Sequence, residues 1–356
     1  MDDYLNMLPI ARYRYRFVAR TPVQFPDWSG SALRGAFGHA LRRLACMTRA
    51  KQCTGCPLLE TCPYPAVFAP PPTGDTLHRL TQAPAPYVIE PESWGARRIE
   101  PGEFWYFDLV LLGRALRELP LVTYAWRQAA RYGLGPGDGQ SDLECVELLL
   151  PDGSSQPVLT AAEGRILEHQ PPIPDHSPTE CRRLTVRLTS PLRLQDNGRA
   201  VPPDRLTPDR LLMAAVRRAS LNRRCHGDGA PDWDFAELAH LARNVKGTKA
   251  LTWRDWTRRS ARQQQVMTLG GVIGLWQIEG ELTPFTPALK IGQWLHIGKE
   301  TVFGLGRYHL TDICADSAGG RDYSRQGTDL EPKTHVPQCS NPALISKGLR
   351  PVFGGY

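Results

Sequence analysis

A chain of 356 residues, 41% of them hydrophobic, has material for two ordinary domains with a core in each. No run of about 18 apolar residues is present for a membrane span, and the opening MDDYLNMLPI is acidic where a secretory signal is basic. These features argue against membrane insertion and secretion, and a cytoplasmic protein with no membrane partner is expected. The net charge of +7, carried more by arginine than by lysine, favours a phosphate-bearing partner because guanidinium forks match phosphate oxygens.

The first element is written in RYRYRFVART, where Tyr13, Tyr15 and Phe17 alternate with Arg12, Arg14 and Arg16 as in a half-buried strand. SALRGAFGHALRRLAC follows, with Leu33, Phe37, Ala40, Leu41 and Leu44 forming one helical stripe. His39 lies outside that stripe, beside Arg42 and Arg43 at i+3 and i+4. Gly35 and Gly38 flank it, at a cost of about 2 kcal/mol in a helix interior, and would let a bulky ligand lie close to that face. An imidazole exchanges protons near neutral pH, which suits proton transfer next to a phosphate. A surface histidine on a basic face fits the same position.

Cys46-x6-Cys53-x2-Cys56-x5-Cys62 comes next, four of the nine cysteines in one short stretch. That spacing, with Pro57 and Pro63 stiffening the knuckles, can close around one tetrahedral ion. Structural zinc leads, with an iron–sulfur cluster or unligated thiols as alternatives. Four thiolates leave zinc no open position, so no catalytic metal is expected.

Residues 66–100 and 151–180 are rich in proline and lack a period, and read as irregular insertions or linker. Between them, FWYFDLVLLGRALRELPLVTYAWRQAARYGLGPGDG reads strand, helix, glycine turn. The same grammar returns later. RRLTVRLTSPL alternates Leu184, Val186 and Leu188 with Thr185 and Arg187, and LTPDRLLMAAVRRASLNRRCHG is a helix with Thr207 as N-cap, Pro208 in its first turn and Gly227 as its stop. The second half closes with GGVIGLWQIEG as a strand, a helix ending near His296 with Gly298 as its cap, and Phe303-Gly304-Leu305-Gly306 echoing Tyr132-Gly133-Leu134-Gly135.

This duplication predicts an α+β protein of two tandem ferredoxin-like units, with helices on one face of each small sheet and the other face free. Residues 1–170 form the first, with the cysteine knuckle at 46–62; residues 181–315 form the second, with a glycine-rich loop at 298–307; residues 316–356 form an irregular tail.

Lys299, Gly304, Gly306 and Arg307 do not match a P-loop, so nucleotide hydrolysis is not supported. A glycine loop between two cations can offer main-chain N–H groups to a nucleic-acid backbone, and a tight helix-to-strand turn is the competing reading. Further basic clusters are Arg217-Arg218, Arg223-Arg224 and Arg258-Arg259 with Arg262; Trp253 and Trp256 interleave with Arg254 and Arg258, as base stacking would need.

Taken together, Leu33-Arg34-Gly35-Ala36, the cysteine knuckle with its Cys-Pro steps, PAPYVIEP, FDLVLLG and WLHIGKETVFGLGRY resemble a known family. It is the repeat-specific endoribonuclease of the RAMP superfamily, the sixth numbered CRISPR-associated protein family, which trims precursor CRISPR RNA. The resemblance implies cleavage within the repeat without a catalytic metal, by attack of a ribose 2'-OH on the adjacent phosphate, leaving 2',3'-cyclic phosphate and 5'-OH ends. It allows retention of the mature RNA, and other CRISPR effector subunits are expected partners. His39 is the residue that matches a catalytic histidine on the first helix, with Tyr13 or Tyr15 as assisting hydroxyl and Arg42, Arg43 and Lys299 as electrostatic partners. Arg34, Arg42, Arg43, Arg217, Arg218, Arg223, Arg224, Lys299, Gly304, Gly306 and Arg307 are assigned to the RNA. Two other readings are a non-catalytic RAMP subunit that holds CRISPR RNA and a zinc-stabilised DNA-binding or adaptor protein.

Overall fold

The computed structural model describes residues 8–71, 83–160, 164–175, 177–229, 231–260 and 265–314. In β1 (Ile10–Ala19) the alternation puts Ala11, Tyr13, Tyr15 and Phe17 on one buried face. From the other face each arginine reaches a carboxylate on another strand: Arg12 to Glu90 at 2.8 Å, Arg14 to Asp108 at 2.8 Å and Arg16 to Glu147 at 3.3 Å.

The chain continues through β2 (Val23–Phe25), α1 (Gly30–Ala45), α2 (Pro63–Phe68), β3 (Tyr87–Pro91), β4 (Arg97–Ile99), β5 (Phe104–Leu112), α3 (Leu119–Tyr132), β6 (Ser141–Leu149) and β7 (Ser155–Thr160). The main sheet runs β3-β5-β1-β6-β7 with every pairing antiparallel, and β2 and β4 form a separate ribbon. Helices after the first and third core strands, with the second strand at the edge and the fourth beside the first, make this a ferredoxin-like unit. Aromatic pairs fill the space between sheet and helices. Tyr15 stacks on its cross-strand partner Phe107 at 5.4 Å, Phe17 on Trp105 at 4.5 Å, and Phe37 of α1 on Trp126 of α3 at 4.9 Å. Each such ring contributes roughly 1.5–3 kcal/mol by leaving water.

The second unit repeats the plan. It comprises β8 (Arg183–Leu192), the short ribbon β9 (Gln195–Asp196) and β10 (Arg199–Ala200), α4 (Pro208–His226), α5 (Phe235–Arg243), β11 (Lys246–Ser260), β12 (Gln265–Glu279), α6 (Thr286–Leu295) and β13 (Tyr308–Cys314). Its sheet order is β11-β12-β8-β13, again antiparallel throughout. The protein is therefore a tandem ferredoxin-like fold. Pro208 begins α4 and Gly227 caps it, but Thr207 makes no side-chain cap bond. Asp234 does cap α5, accepting from the N–H groups of Ala236 and Glu237 at 2.9 Å each.

Several expectations need correction. The stretch 66–100 is not irregular: it contributes the end of α2 and the strands β3 and β4, and 151–180 contributes β7. The outer face of the first sheet is not free. Ile10, Val88, Val110 and Leu112 share a core with Leu188 of β8 and Leu289 and Leu295 of α6, so the second unit packs directly on the first sheet. All described residues fall within one compact unit. The expected tail at 316–356 and Arg262 lie outside the described residues.

Candidate nucleic-acid interface

The glycine-rich loop is held at the junction of the two units. His296, and not Gly298, caps the C-terminal end of α6, with a positive φ of 58°, and it is wholly buried. Its Nε2–H donates to Glu90 Oε1 on β3 at 2.8 Å, while Nδ1 lies 3.2 Å from the carbonyl of Leu305. Arg12 also bonds Glu90 and the carbonyl of Gln293, at 3.1 Å for the latter, and covers the ring of Trp294. Arg307 approaches the same carboxylate at 3.8 Å. Burial alone would raise the Glu90 carboxyl, but the Arg12 and Arg307 guanidiniums and the His296 hydrogen bond overcome it and hold it well below the usual carboxylate range.

The glycines serve this junction. A side chain on Gly304 would meet the carbonyl of Ile89 on β3 at 2.5 Å, and one on Gly306 would strike the carbonyl of Ile297. Their amides are already engaged, Gly304 N–H with Thr301 O at 2.8 Å and Gly306 N–H with Pro191 O at 3.0 Å, and both residues are buried. Gly304 and Gly306 therefore do not cradle a phosphate; close approach of two backbones is what requires them. Arg307 faces Glu90 as much as solvent, with 25% of its side chain exposed. Lys299 is exposed, its backbone N–H anchored to Arg193 O at 2.9 Å.

The same loop meets α1. Trp28 Nε1–H donates to Phe303 O at 2.8 Å, and a side chain on Gly30 would collide with that carbonyl. Arg34 lies over the rings of Phe68 and Phe303 at 4.3 and 5.5 Å. His39 is exposed on the outer side of α1, where Gly35 leaves open space, whereas Gly38 is filled by the ring of Phe68 and receives no ligand. Arg43 is exposed and sits over the ring of Tyr132 at 4.5 Å. Arg42 instead donates to the carbonyls of Ala50 and Lys51, binding the cysteine loop to the helix.

Tyr13 and Tyr15 are core residues, 1% and 0% exposed, so the assisting-hydroxyl role is withdrawn. Tyr13 Oη pairs with His169 Nε2 and Tyr15 Oη with Thr123 Oγ1, each at 2.9 Å, and burial raises both phenols far above their ordinary value. Both belong to the inward face of β1 by the alternation that identified the strand.

Along α4, Arg217 and Arg224 are exposed and Arg223 is half-buried. Arg218 is half-buried and caps α6 by donating to Leu295 O at 3.2 and 3.3 Å, and burial pulls its guanidinium down to about 10, so that group is engaged within the protein. Trp256 is buried with Trp28, Leu269, Phe303 and Leu305 rather than stacking on bases, while Trp253 is exposed and Arg254 covers the ring of Trp94 at 5.2 Å. Of the residues assigned to the RNA or to catalysis, His39, Arg43, Arg217, Arg224 and Lys299 are therefore exposed, and Arg34, Arg42, Arg223 and Arg307 are half-buried. Sequence reasoning missed the pairing of Arg12 and Glu90 with His296, because a charge balance struck between residues more than 200 positions apart leaves no local pattern to read.

The four knuckle cysteines are unpaired and line one small cavity beside the C-terminal end of α1. Among the described residues, no helix is long and apolar enough to cross a membrane.

Residues 186–308 match the family described as CRISPR-associated endoribonuclease Cas6, and residues 8–171 match a family described simply as an N-terminal domain. Among solved structures, a Thermus thermophilus Cas6 in a product complex aligns over 85% of this chain and 99% of its own, at 15% identity and a TM-score of 0.51. A partial Cas6-RT-Cas1–Cas2 complex aligns over 86% of this chain and 46% of its own, at 14% identity and a TM-score of 0.49. A Cas6-related protein from Pyrococcus furiosus aligns over 85% and 99%, at 10% identity and a TM-score of 0.42. No curated protein matches the chain by sequence.

Proposed function

We propose, from the match of residues 186–308 to the Cas6 family of CRISPR-associated endoribonucleases, that this chain processes CRISPR RNA by cutting within the repeat. The family match is the observation that carries this reading. The exposed arginines on α1 and α4 and the exposed Lys299 support it, since a ribose-phosphate strand needs cations at the surface. Other CRISPR-associated proteins are the partners this reading implies.

The cut proceeds by attack of a ribose 2'-oxygen on the adjacent phosphorus while the bond to the 5'-oxygen breaks, giving a 2',3'-cyclic phosphate and a 5'-OH. One proton must leave the 2'-OH and one must reach the departing oxygen, and neither transfer requires a metal. His39 performs one of these transfers. It is exposed on α1, with Arg43 one turn further along the same face to offset charge on the phosphorane. Lys299 assists from the loop that Trp28 and Gly30 fasten to α1.

The test is incubation of the purified chain with repeat RNA in EDTA, followed by end-group analysis. Cyclic-phosphate ends are expected, and His39→Ala should slow cleavage by about 10²–10⁴-fold. Binding without cleavage by the unaltered chain would assign it instead to RNA holding, and undiminished cleavage by the variant would remove His39 from the chemistry.

A further inference from the structure

We propose that Cys46, Cys53, Cys56 and Cys62 bind one structural zinc ion that ties the C-terminal end of α1 to the start of α2. Cys46 is the C-cap residue of α1 and Cys62 the N-cap residue of α2, so the first and last thiols are carried by the two helices that the loop connects. The turn between Cys53 and Cys56 is closed by a 3.0 Å backbone bond, and the Cys62 N–H bonds Leu58 O at 2.8 Å. All four cysteines line one cavity of about 20 Å³. That is room for about one atom.

The thiols are free and half-buried, neither sealed in a core nor spread over the surface. Thr48 Oγ1 lies 3.9 Å from Cys46 Sγ and 3.6 Å from Cys56 Sγ, bringing the first and third cysteines around a common point. The loop has little else to hold it: Met47 and Leu58 are 84% and 36% exposed, and no strand or α-helix forms between Cys46 and Cys62. Among the described residues no group of three or more His, Cys, Asp or Glu side chains is close enough to hold a metal ion as it stands. The ion would close the cysteines to Zn–S distances of about 2.3 Å, and ligand sites commonly assemble only on binding.

Charge and proton balance are consistent. Zn²⁺ displaces four thiol protons, leaving a tetrahedral site of net charge −2. Arg42, which grips the carbonyls of Ala50 and Lys51 and covers Tyr64 at 5.8 Å, offsets part of it. All four coordination positions are filled, so the ion orders this segment and takes no part in RNA cleavage.

Elemental analysis of the full-length chain purified without chelator should find one zinc per chain. Replacing it with Co²⁺ should give the intense visible bands and near-ultraviolet sulfur-to-metal charge transfer of a tetrahedral thiolate site. Cys53→Ser with Cys56→Ser should abolish zinc retention, while Cys225→Ser should leave it at one per chain. Because the double variant can fail to fold, the cobalt spectrum of the unaltered chain is the independent arm. A chain that retains no zinc and gives no cobalt–thiolate spectrum, or that carries iron with acid-labile sulfide, overturns the proposal. These readouts do not depend on RNA cleavage.

Discussion

His296 Nε2 lies 2.8 Å from Glu90 Oε1 across the junction of the two units, and neither side chain is exposed. Glu90→Ala would leave Arg12, Arg307 and His296 facing a site with no counter-charge. Breaking a buried charged network from one side costs about 3–5 kcal/mol. Urea unfolding should show a corresponding fall in midpoint with little change in slope. An unchanged midpoint would mean the cluster contributes nothing to holding the units together.

His226 predicts a pH dependence. Its Nε2–H donates to Pro84 O at 2.6 Å, and burial lowers the imidazole to about 4, with Arg218 and Arg114 adding to the effect and the Pro84 bond opposing it. Above about pH 6.5 both folded and unfolded chains leave this ring neutral. As pH falls towards 4, the unfolded chain takes up a proton that the folded chain refuses, so stability declines across that window by at most roughly 3 kcal/mol. His226→Asn, which keeps a donor for Pro84, should flatten the decline. An equally steep profile in the variant would show that other groups cause it.

Two glycines should respond in opposite directions. Gly306→Ala places a side chain against Ile297 O at a residue with φ of 73°, and should destabilise by more than about 2 kcal/mol. Gly35→Ala meets nothing within 4 Å and should stabilise by up to about 1 kcal/mol. If RNA lies against α1, the second variant should also bind repeat RNA more weakly despite its higher melting temperature. Equal affinity would place the RNA elsewhere.

The arginines of α4 should separate binding from folding. Arg217→Ala and Arg224→Ala should each leave the melting temperature unchanged. Each should also reduce the salt dependence of RNA binding by about 0.7 in log–log slope for every single-strand phosphate left without its cation. Arg218→Ala should lower stability instead, by leaving Leu295 O without its donor. A stability loss from Arg217→Ala, or none from Arg218→Ala, contradicts these placements.

The elements legible in the sequence were those with one polar face. The arginine–aromatic alternation of β1 and the stripe Leu33, Phe37, Ala40 and Leu41 of α1 correspond to buried faces, although Leu44 is 37% exposed. The strand β3 escaped because all five of its residues are buried, one side covering α1 and the other meeting the second unit, so no polar–apolar period is present. The long strand β11 escaped for the opposite reason: most of its described side chains between Lys246 and Asp255 face solvent. In the glycine loop the tight turn was readable, but its cause was not. The atoms that press on Gly298 and Gly304 belong to Arg193 and Ile89, at least 100 positions away. For the candidate site, helical geometry was enough to set His39 and Arg43 outward, while Arg218 shows that adjacent arginines on one helix can have unrelated fates.

The core that unites Ile10, Val88 and Val110 with Leu188, Leu289 and Leu295 has a bearing on how a strand of RNA could be accommodated. Jaws that opened and shut would have to tear this oily seam and strip Glu90 of its guanidiniums with every turnover. On the proposed reading the duplicated halves would serve as a single anvil, and bending to a productive shape would fall to the nucleic acid.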